Sequence, residues 1–106
     1  KESKGTGNMS KSILQDEKEC YITGRKEGLH KHHIYGAANR KISDKYGFWV
    51  WLAPEWHNMS DYGVHFNKEL DLKLKQECQR KFEETHSREE FMEIIGRNYL
   101  GDENEN

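Results

Sequence analysis

Apolar residues recur at every fourth position in the second half of the chain, and this spacing predicts a long helix. The pattern runs from about Val64 to Glu84, among Lys, Glu and Gln, and its apolar members are Phe66, Leu70, Leu74, Cys78 and Phe82. Side chains at this spacing fall on one face of an α-helix. Ser87 then stands three residues before Glu90, which is the pattern of a capping box. We therefore predict a second, shorter helix that ends at Gly96.

The stretch FWVWL, residues 48–52, is apolar at every position and predicts a strand that is covered on both faces. Pro54 should end this strand, because proline has no amide hydrogen, and it suits the first turn of a helix. Upstream, YITGRKEGLHKHHIYG at 21–36 contains two short apolar pieces around Gly24 and Gly28, which predict a hairpin or two brief strands. The stretch GAANRKISDKYG, residues 36–47, has the composition of a polar loop.

The length of 106 residues suits a single domain, and we find no internal repeat. Residues 1–15 are expected to form a flexible arm, of which the polar, glycine-rich residues 1–8 are compatible with an addition before a native start at Met9. The domain itself is predicted over residues 16–100. The remaining residues, 101–106, form an acidic tail.

Composition indicates a folded domain with a thin core, since hydrophobic residues make up 33% of the chain but three Trp and five Tyr add large apolar surfaces. Such a domain would gain stability from a bound metal. No apolar run approaches the roughly 18 residues of a transmembrane helix, so we expect a cytoplasmic protein without a membrane partner. Two cysteines 58 positions apart predict no disulfide framework, which fits a reducing compartment.

The net charge of −2 does not indicate a strong non-specific nucleic-acid binder, but the charge is unevenly distributed along the chain. Residues 1–50 carry a net charge of +4, and residues 51–106 carry −6. The basic half also contains a histidine cluster and could meet a polyanion, although surface charge without a partner explains the counts equally well.

Five of the six histidines lie between positions 30 and 65: His30, His32, His33, His57 and His65. Imidazole is a common ligand of zinc and of transition metals, and three ligands with an open fourth position make a Lewis-acid site. The alternative is a set of individually hydrogen-bonded histidines. On a regular strand His30 and His32 share one face and His33 points to the other, so His32 and His33 can serve one site only where the strand ends, twists or bulges.

A His-His pair on a strand, a loop, a second apolar strand and a histidine at a helix start resemble the HNH endonucleases, also called ββα-metal or His-Me finger nucleases. The resemblance covers roughly Cys20 to Asn67, including GVHFN at 63–67, and HSREEFMEIIGRNYL looks similar to small phage-type members associated with recombination. It implies an α+β fold, with a small ββα-metal hairpin core followed by a long helix and a shorter C-terminal helix. It also implies DNA as substrate, bacterial or phage-infected host cytoplasm as location, and a recombination or packaging protein as a compatible partner.

The same resemblance assigns roles to the histidines. The first of the pair, His32, matches a metal ligand, and the second, His33, matches the general base. His57 matches the second ligand and His65 the third, with Asp61 as its rival. The implied cofactor is one divalent ion, Zn, Mg, Mn or Ni. His30 is left as support for the site or as a substitute ligand.

Many HNH domains also hold a structural zinc between two Cys-x-x-Cys pairs, and this chain departs from that pattern. The corresponding positions are Cys20, Thr23, Ala53 and Trp56, so three of the four thiolates are missing. We therefore expect no structural zinc held by four cysteines, with the Trp56 ring filling the space.

A second departure concerns the asparagine that orients the catalytic imidazole in the family. Phe48 occupies its position, so either Asn39 or Asp44 from the preceding loop takes the role, or the base is poorly oriented and activity is reduced. Arg40 and Lys41, in the same loop, are candidate phosphate contacts, because guanidinium and ammonium groups bind phosphate oxygens.

Three functions are compatible with these observations. The first is a metal-dependent HNH endonuclease that hydrolyses DNA phosphodiester bonds, with His33 as general base. The second is a non-catalytic module of the same fold, in which a metal stabilises the core and the surface binds nucleic acid or protein. The third is a helical interaction protein that uses its acidic helices from Val64 onward for a partner.

Overall fold

The computed structural model describes residues 11–101, so most of the predicted N-terminal arm and nearly all of the acidic tail lie outside the described residues. The described part is a small α+β structure. Its two strands are β1 (His30–His33) and β2 (Trp49–Leu52). Its helices are α1 (Arg40–Tyr46), α2 (Pro54–His57), α3 (Lys68–Phe82) and α4 (Arg88–Ile95), with short 3-10 turns at Ala37–Asn39 and Val64–Phe66. No helix within residues 11–101 has the length and apolar character needed to cross a membrane.

The two strands pair antiparallel, with His32 opposite Val50 and His33 opposite Trp49. The predicted strand at FWVWL is confirmed, and its Val50 side chain is completely buried. Because successive side chains of a strand alternate between faces, His30 and His32 share the face of Val50. His33 lies on the opposite face, beside Trp49.

The free edge of β2 is covered by the N-terminal segment rather than by a third strand. The Ser12 hydroxyl donates to the carbonyl of Trp49 at 2.6 Å, and the amide of Trp51 donates to Gln15 Oε1 at 2.8 Å. The amide of Tyr21 also donates to the carbonyl of Trp51, at 2.8 Å. These bonds satisfy backbone groups that an open edge would leave exposed. Residues 11–15, inside the predicted arm, therefore pack on the sheet.

The predicted hairpin over residues 21–36 is wrong in its first half, where the chain forms a compact turn. The amide of Cys20 donates to the carbonyl of Arg25 at 2.8 Å, and the amide of Gly24 donates back to the carbonyl of Cys20 at 2.8 Å. Gly24 adopts a positive φ of 81°, which favours glycine. The apolar residues around Gly24 therefore close a turn, and only the second half supplies a strand, β1.

The predicted loop over residues 36–47 is also wrong, because it contains helix α1. Ser43 is fully buried, and its hydroxyl donates to the carbonyl of Tyr35 at 2.7 Å. Ile42 and Tyr46, one helical turn apart, pack against the core, and Gly47 ends the helix in the left-handed conformation. The sequence does not predict this helix, because its apolar spacing extends over one turn only and the rest of the stretch has a loop-like composition.

The two predicted C-terminal helices are confirmed, with one change at the start of α3. Asn67 caps α3, since its side chain accepts a hydrogen bond from the amide of Leu70 at 3.1 Å, and this separates the preceding 3-10 turn from the helix. Phe66 falls in that turn and is 65% exposed, so it is not part of the buried stripe. At α4 both hydrogen bonds of the predicted capping box, between Ser87 and Glu90, are present.

Candidate metal centre and its cleft

Three histidines from three different elements meet at the side of the sheet. His32 lies within β1, His57 is the last residue of α2, and His65 lies in the 3-10 turn before α3. Pro54 begins α2 two residues after β2 ends, so the pairing of β2 with β1 also brings His57 close to His32. One ligand nitrogen from each of the three rings lies within 4.8 Å of the other two. The three predicted metal ligands are therefore neighbours in space.

The approach of His65 to His57 depends on a glycine. Gly63 packs so closely on the end of α2 that an added Cβ would lie 2.7 Å from the carbonyl oxygen of His57. The intervening turn is held by the Ser60 hydroxyl, which donates to the carbonyl of Glu55 at 2.5 Å. This close contact of main chain on main chain lets the chain return and place two imidazoles side by side.

His32 is the most unusual member of the group. Its side chain is 5% exposed, and its Nε2 is buried without a hydrogen-bond partner among the described residues. An unsatisfied buried polar atom costs about 1–3 kcal/mol. Burial, together with the neighbouring rings of His57 and His65, lowers the pKa of His32 to about 3. The ring is therefore neutral at pH 7.

His57 is also neutral at pH 7, because burial and the nearby rings of His65 and His30 lower its pKa to about 4. The Nε2 atoms of His57 and His65 are 3.0 Å apart. Zinc–nitrogen bonds of 2.0–2.1 Å in tetrahedral geometry place ligand nitrogens about 3.4 Å apart, so small shifts would accommodate an ion. The orphaned His32 Nε2 and this spacing fit a divalent cation.

The rival ligand, Asp61, has a different position. It is exposed, and the group of nearby ligand atoms contains His65 instead. His30 lies on the far side of His57, where the two Nδ1 atoms are 3.0 Å apart. Geometry therefore favours His65 over Asp61 as third ligand and separates His30 from the ligand group.

The predicted base, His33, has a carboxylate partner. Its Nε2 lies 2.8 Å from Asp44 Oδ1, and the Lys31 ammonium lies 2.7 Å from the same oxygen. The hydrogen bonds from Lys31 and His33 lower the pKa of Asp44, so this carboxyl is ionised at neutral pH. The side chain of Asn39 donates to the carbonyl of Ile95 at 3.0 Å and thus anchors α4. Of the two predicted orienting residues, it is Asp44 that contacts His33.

An open cleft of ≈ 290 Å³ brings the predicted base, His33, and the three predicted metal ligands together. The sheet faces do not keep them apart, because His33 is the last residue of β1 and the chain turns away after it. Arg40 lines this cleft, whereas the exposed Lys41 lies outside its lining. The full lining consists of His32, His33, His57, His65, Lys31, Gly36, Ala37 and Arg40.

Three of the four positions that the resemblance matches to a structural zinc site, Cys20, Thr23 and Ala53, are in contact. The buried Cys20 thiol forms hydrogen bonds with the Thr23 side chain and with the backbone of Ala53. Trp56 packs edge-on against Tyr62, with ring centroids 4.9 Å apart. Cys20 therefore has hydrogen-bond partners within the protein, and both cysteines are free.

Two residues of the site were not singled out from the sequence. Lys31 shares the Asp44 carboxylate with His33, but a lysine between histidines on a strand gives no distinct signal. Gly63 permits the close approach to His57, and its only signal was its position two residues before His65.

Comparison of the chain with protein-family models, with curated proteins and with solved structures finds no match. The functional assignment therefore depends on the chemistry of this site.

Proposed function

We propose that the protein is a metal-dependent endonuclease of the HNH type that hydrolyses phosphodiester bonds in DNA. The observation that carries the proposal is the buried, unpaired Nε2 of His32, with ligand nitrogens of His57 and His65 within 4.8 Å. A purely structural histidine cluster would be expected to satisfy such an atom internally. His33, which lines the cleft beside it, is paired with the Asp44 carboxylate, and a structural metal site does not need such a pair.

The three imidazoles would hold the ion, and it would supply Lewis acidity to a phosphoryl oxygen and to the leaving oxygen. His32 and His57 are suited to this because both rings stay neutral well below pH 7. His65 is exposed and completes the group from the solvent side. Three protein ligands leave a further coordination position open, as in catalytic rather than structural sites.

His33 would act as the general base. The ionised Asp44 has no proton to give, so the His33 Nε2–H donates to it, and the lone pair is left on Nδ1. This nitrogen would accept the proton from the attacking water, and the imidazolium that forms would be stabilised by Asp44. Lys31, on the same carboxylate oxygen, fixes the carboxylate in place.

Arg40 is the proposed substrate contact. It is exposed and lines the cleft that contains His33 and the metal group. Its guanidinium can bind a phosphate with two parallel hydrogen bonds, which positions a DNA strand without reading its sequence. Lys41, next along α1 and exposed, is a second phosphate contact in this proposal.

The direct test is nicking of supercoiled plasmid in the presence of Mg²⁺, Mn²⁺, Ni²⁺ or Zn²⁺. His33→Ala should lower the cleavage rate about 10²- to 10⁴-fold, the usual contribution of a positioned base, while metal affinity stays within about twofold of the wild type. His86→Ala is the matched control, since this exposed histidine stacks on Phe82 at the other end of α3. Equal cleavage by His33→Ala and the wild type would contradict the mechanism.

Metal removal distinguishes the nuclease from a non-catalytic module of the same fold. A metal whose free concentration is about 100 times its dissociation constant stabilises the folded state by about 2.7 kcal/mol, so a chelator should lower the melting temperature. That drop, combined with no cleavage at high protein concentration, would favour the module. No change in melting temperature together with no metal in the purified protein would contradict both functions.

A further inference from the structure

The His57 ring has another imidazole at each of its two nitrogens. Its Nε2 lies 3.0 Å from His65 Nε2, and its Nδ1 lies 3.0 Å from His30 Nδ1. A neutral imidazole carries a hydrogen on one nitrogen and a lone pair on the other. Both contacts are therefore N–H···N hydrogen bonds whose directions depend on where the His57 hydrogen sits.

Metal binding removes this freedom. If the Nε2 lone pairs of His57 and His65 go to a cation, the hydrogen of neutral His57 must be on Nδ1. That N–H then faces His30 Nδ1, which can only accept it. His30 must accordingly carry its own hydrogen on Nε2. The hydrogen-bond chain has one direction in the metal-bound protein.

We infer that His30 is a positioning residue of the metal centre, which accepts a hydrogen bond from His57 and fixes both the tautomer and the ring orientation of that ligand. The inference rests on the proposed metal centre and goes beyond it, because it assigns a function to a histidine outside the ligand group. Metal-bound histidines commonly donate the N–H of their second ring nitrogen to an acceptor, most often a carboxylate, a backbone carbonyl or a water, and His30 Nδ1 would be that acceptor here.

His30 is not a substitute ligand for the same ion. The two nitrogens of an imidazole point away from each other, and His30 contacts the nitrogen on the side opposite to His65. It also lies outside the group of ligand atoms within 4.8 Å, which consists of His32, His57 and His65. The sequence left both roles open, and the contact with Nδ1 decides between them.

The position of His30 on β1 makes it well suited to this task. It pairs with Leu52 in the sheet and lies two residues before His32, so both side chains project from the same face. One strand thereby supplies a ligand directly and also supplies the partner of a second ligand. His57 needs such support because it belongs to a helix of only four residues.

The test compares two substitutions that differ in hydrogen-bonding ability. His30→Phe keeps an aromatic ring but cannot accept, whereas His30→Asn places a carbonyl oxygen close to the position of Nδ1. We expect His30→Phe to weaken Co²⁺ binding about 10- to 100-fold, the usual effect of losing such a partner, and His30→Asn to stay within about threefold of the wild type. Affinity is measured by titration of the Co²⁺ absorption bands. His86→Phe, the same change at a distant exposed histidine, is the control.

Two further measurements separate positioning from folding and from ligation. Melting temperatures in chelator show whether His30→Phe and His30→Asn fold equally well without metal. The energies of the Co²⁺ bands should be unchanged in the saturated His30→Phe protein, because the ligand set is the same. Nitrogen-15 NMR of the zinc-loaded wild type should show the His57 hydrogen on Nδ1.

Equal Co²⁺ affinity of His30→Phe and the wild type would overturn the role of His30 alone. Shifted bands in the saturated His30→Phe protein would also overturn it, since they would make His30 a ligand. A wild type that binds no Co²⁺ would overturn both this role and the metal centre. Normal binding with the expected His30 effects, but without plasmid cleavage, would support His30 and overturn the nuclease.

Discussion

Gly63→Ala tests how the chain builds the metal group, because this change touches no histidine side chain. The added Cβ would lie 2.7 Å from the carbonyl oxygen of His57, 2.9 Å from its carbonyl carbon and 3.1 Å from the carbonyl oxygen of Glu55. All three atoms are main chain, so no flexible side chain can move aside. Gly63 has a φ of −66°, which alanine adopts without strain, so the close contact is the whole effect.

The magnitude follows from the distances. Restoring an ordinary contact requires a separation larger by about 0.7 Å, and either the 3-10 turn or the end of α2 must move. Whichever segment moves carries a proposed ligand, His65 or His57. Metal–ligand distances tolerate deviations of only about 0.2 Å, so the two nitrogens cannot both keep their positions. We expect affinity for Zn²⁺ to fall about 10- to 100-fold, as for other losses of ligand support.

The assay is competition for Zn²⁺ against a chelator of known affinity, with unfolding by urea in excess chelator as a parallel measurement. Overpacking of this kind costs about 1–3 kcal/mol of stability in the metal-free protein. Gly36→Ala is the matched control, because its Cβ would meet nothing within 4 Å and its φ is −94°. Wild-type Zn²⁺ affinity in Gly63→Ala would refute the argument that this contact sets the distance between His57 and His65.

Three further changes test the fold by urea denaturation in excess chelator. Ala37 has a φ of 52°, a backbone conformation that is strained for alanine, so Ala37→Gly should stabilise the protein by about 0.5–1 kcal/mol. Ala38→Gly, at the next position, should destabilise it, and equal effects of the two changes would contradict backbone strain at Ala37. Gln79 is fully buried and accepts a hydrogen bond from the amide of Tyr99 at 2.8 Å, so Gln79→Leu should lower the free energy of unfolding by about 1–3 kcal/mol. An unchanged urea midpoint would argue against this hydrogen bond. Gly47 has a φ of 79° and lies against the backbone of residue 11, so Gly47→Ala should lower the free energy of unfolding by at least about 2 kcal/mol. A smaller loss would show that the N-terminal segment moves aside at little cost.

The elements that the sequence predicts correctly are those with strong local signals. The four-residue spacing gives α3, the capping box gives α4, and the run FWVWL gives β2. Helix α1 lacks such a signal, because its burial depends on one turn of apolar side chains and on the buried hydroxyl of Ser43. The turn at residues 20–25 is closed by backbone hydrogen bonds, and its Gly24 is equally compatible with the hairpin that the sequence predicts.

The candidate site also divides into features that the sequence predicts and features that depend on the fold. Residue type pointed to histidines as ligands, strand alternation separated His33 from His30 and His32, and only the resemblance to HNH nucleases implied that His33 is a base. The choice between His65 and Asp61, and between Asp44 and Asn39, depends on positions that only the folded chain fixes. The side chain of Asn39 instead donates to the carbonyl of Ile95 in α4, a helix that lies far later in the sequence.

Strand β1 has only four residues, and in the proposed nuclease they supply a metal ligand, the partner of a second ligand and the general base. Alternation on a strand places His30 and His32 toward His57, where one would position a ligand and the other would be a ligand. His33 points to the opposite face and so meets Asp44 on α1. A longer strand would keep that face separated from the metal group by the sheet itself. Because β1 ends at His33, the same cleft is open to both faces, and in the proposed nuclease the base and the metal group would act on one phosphodiester.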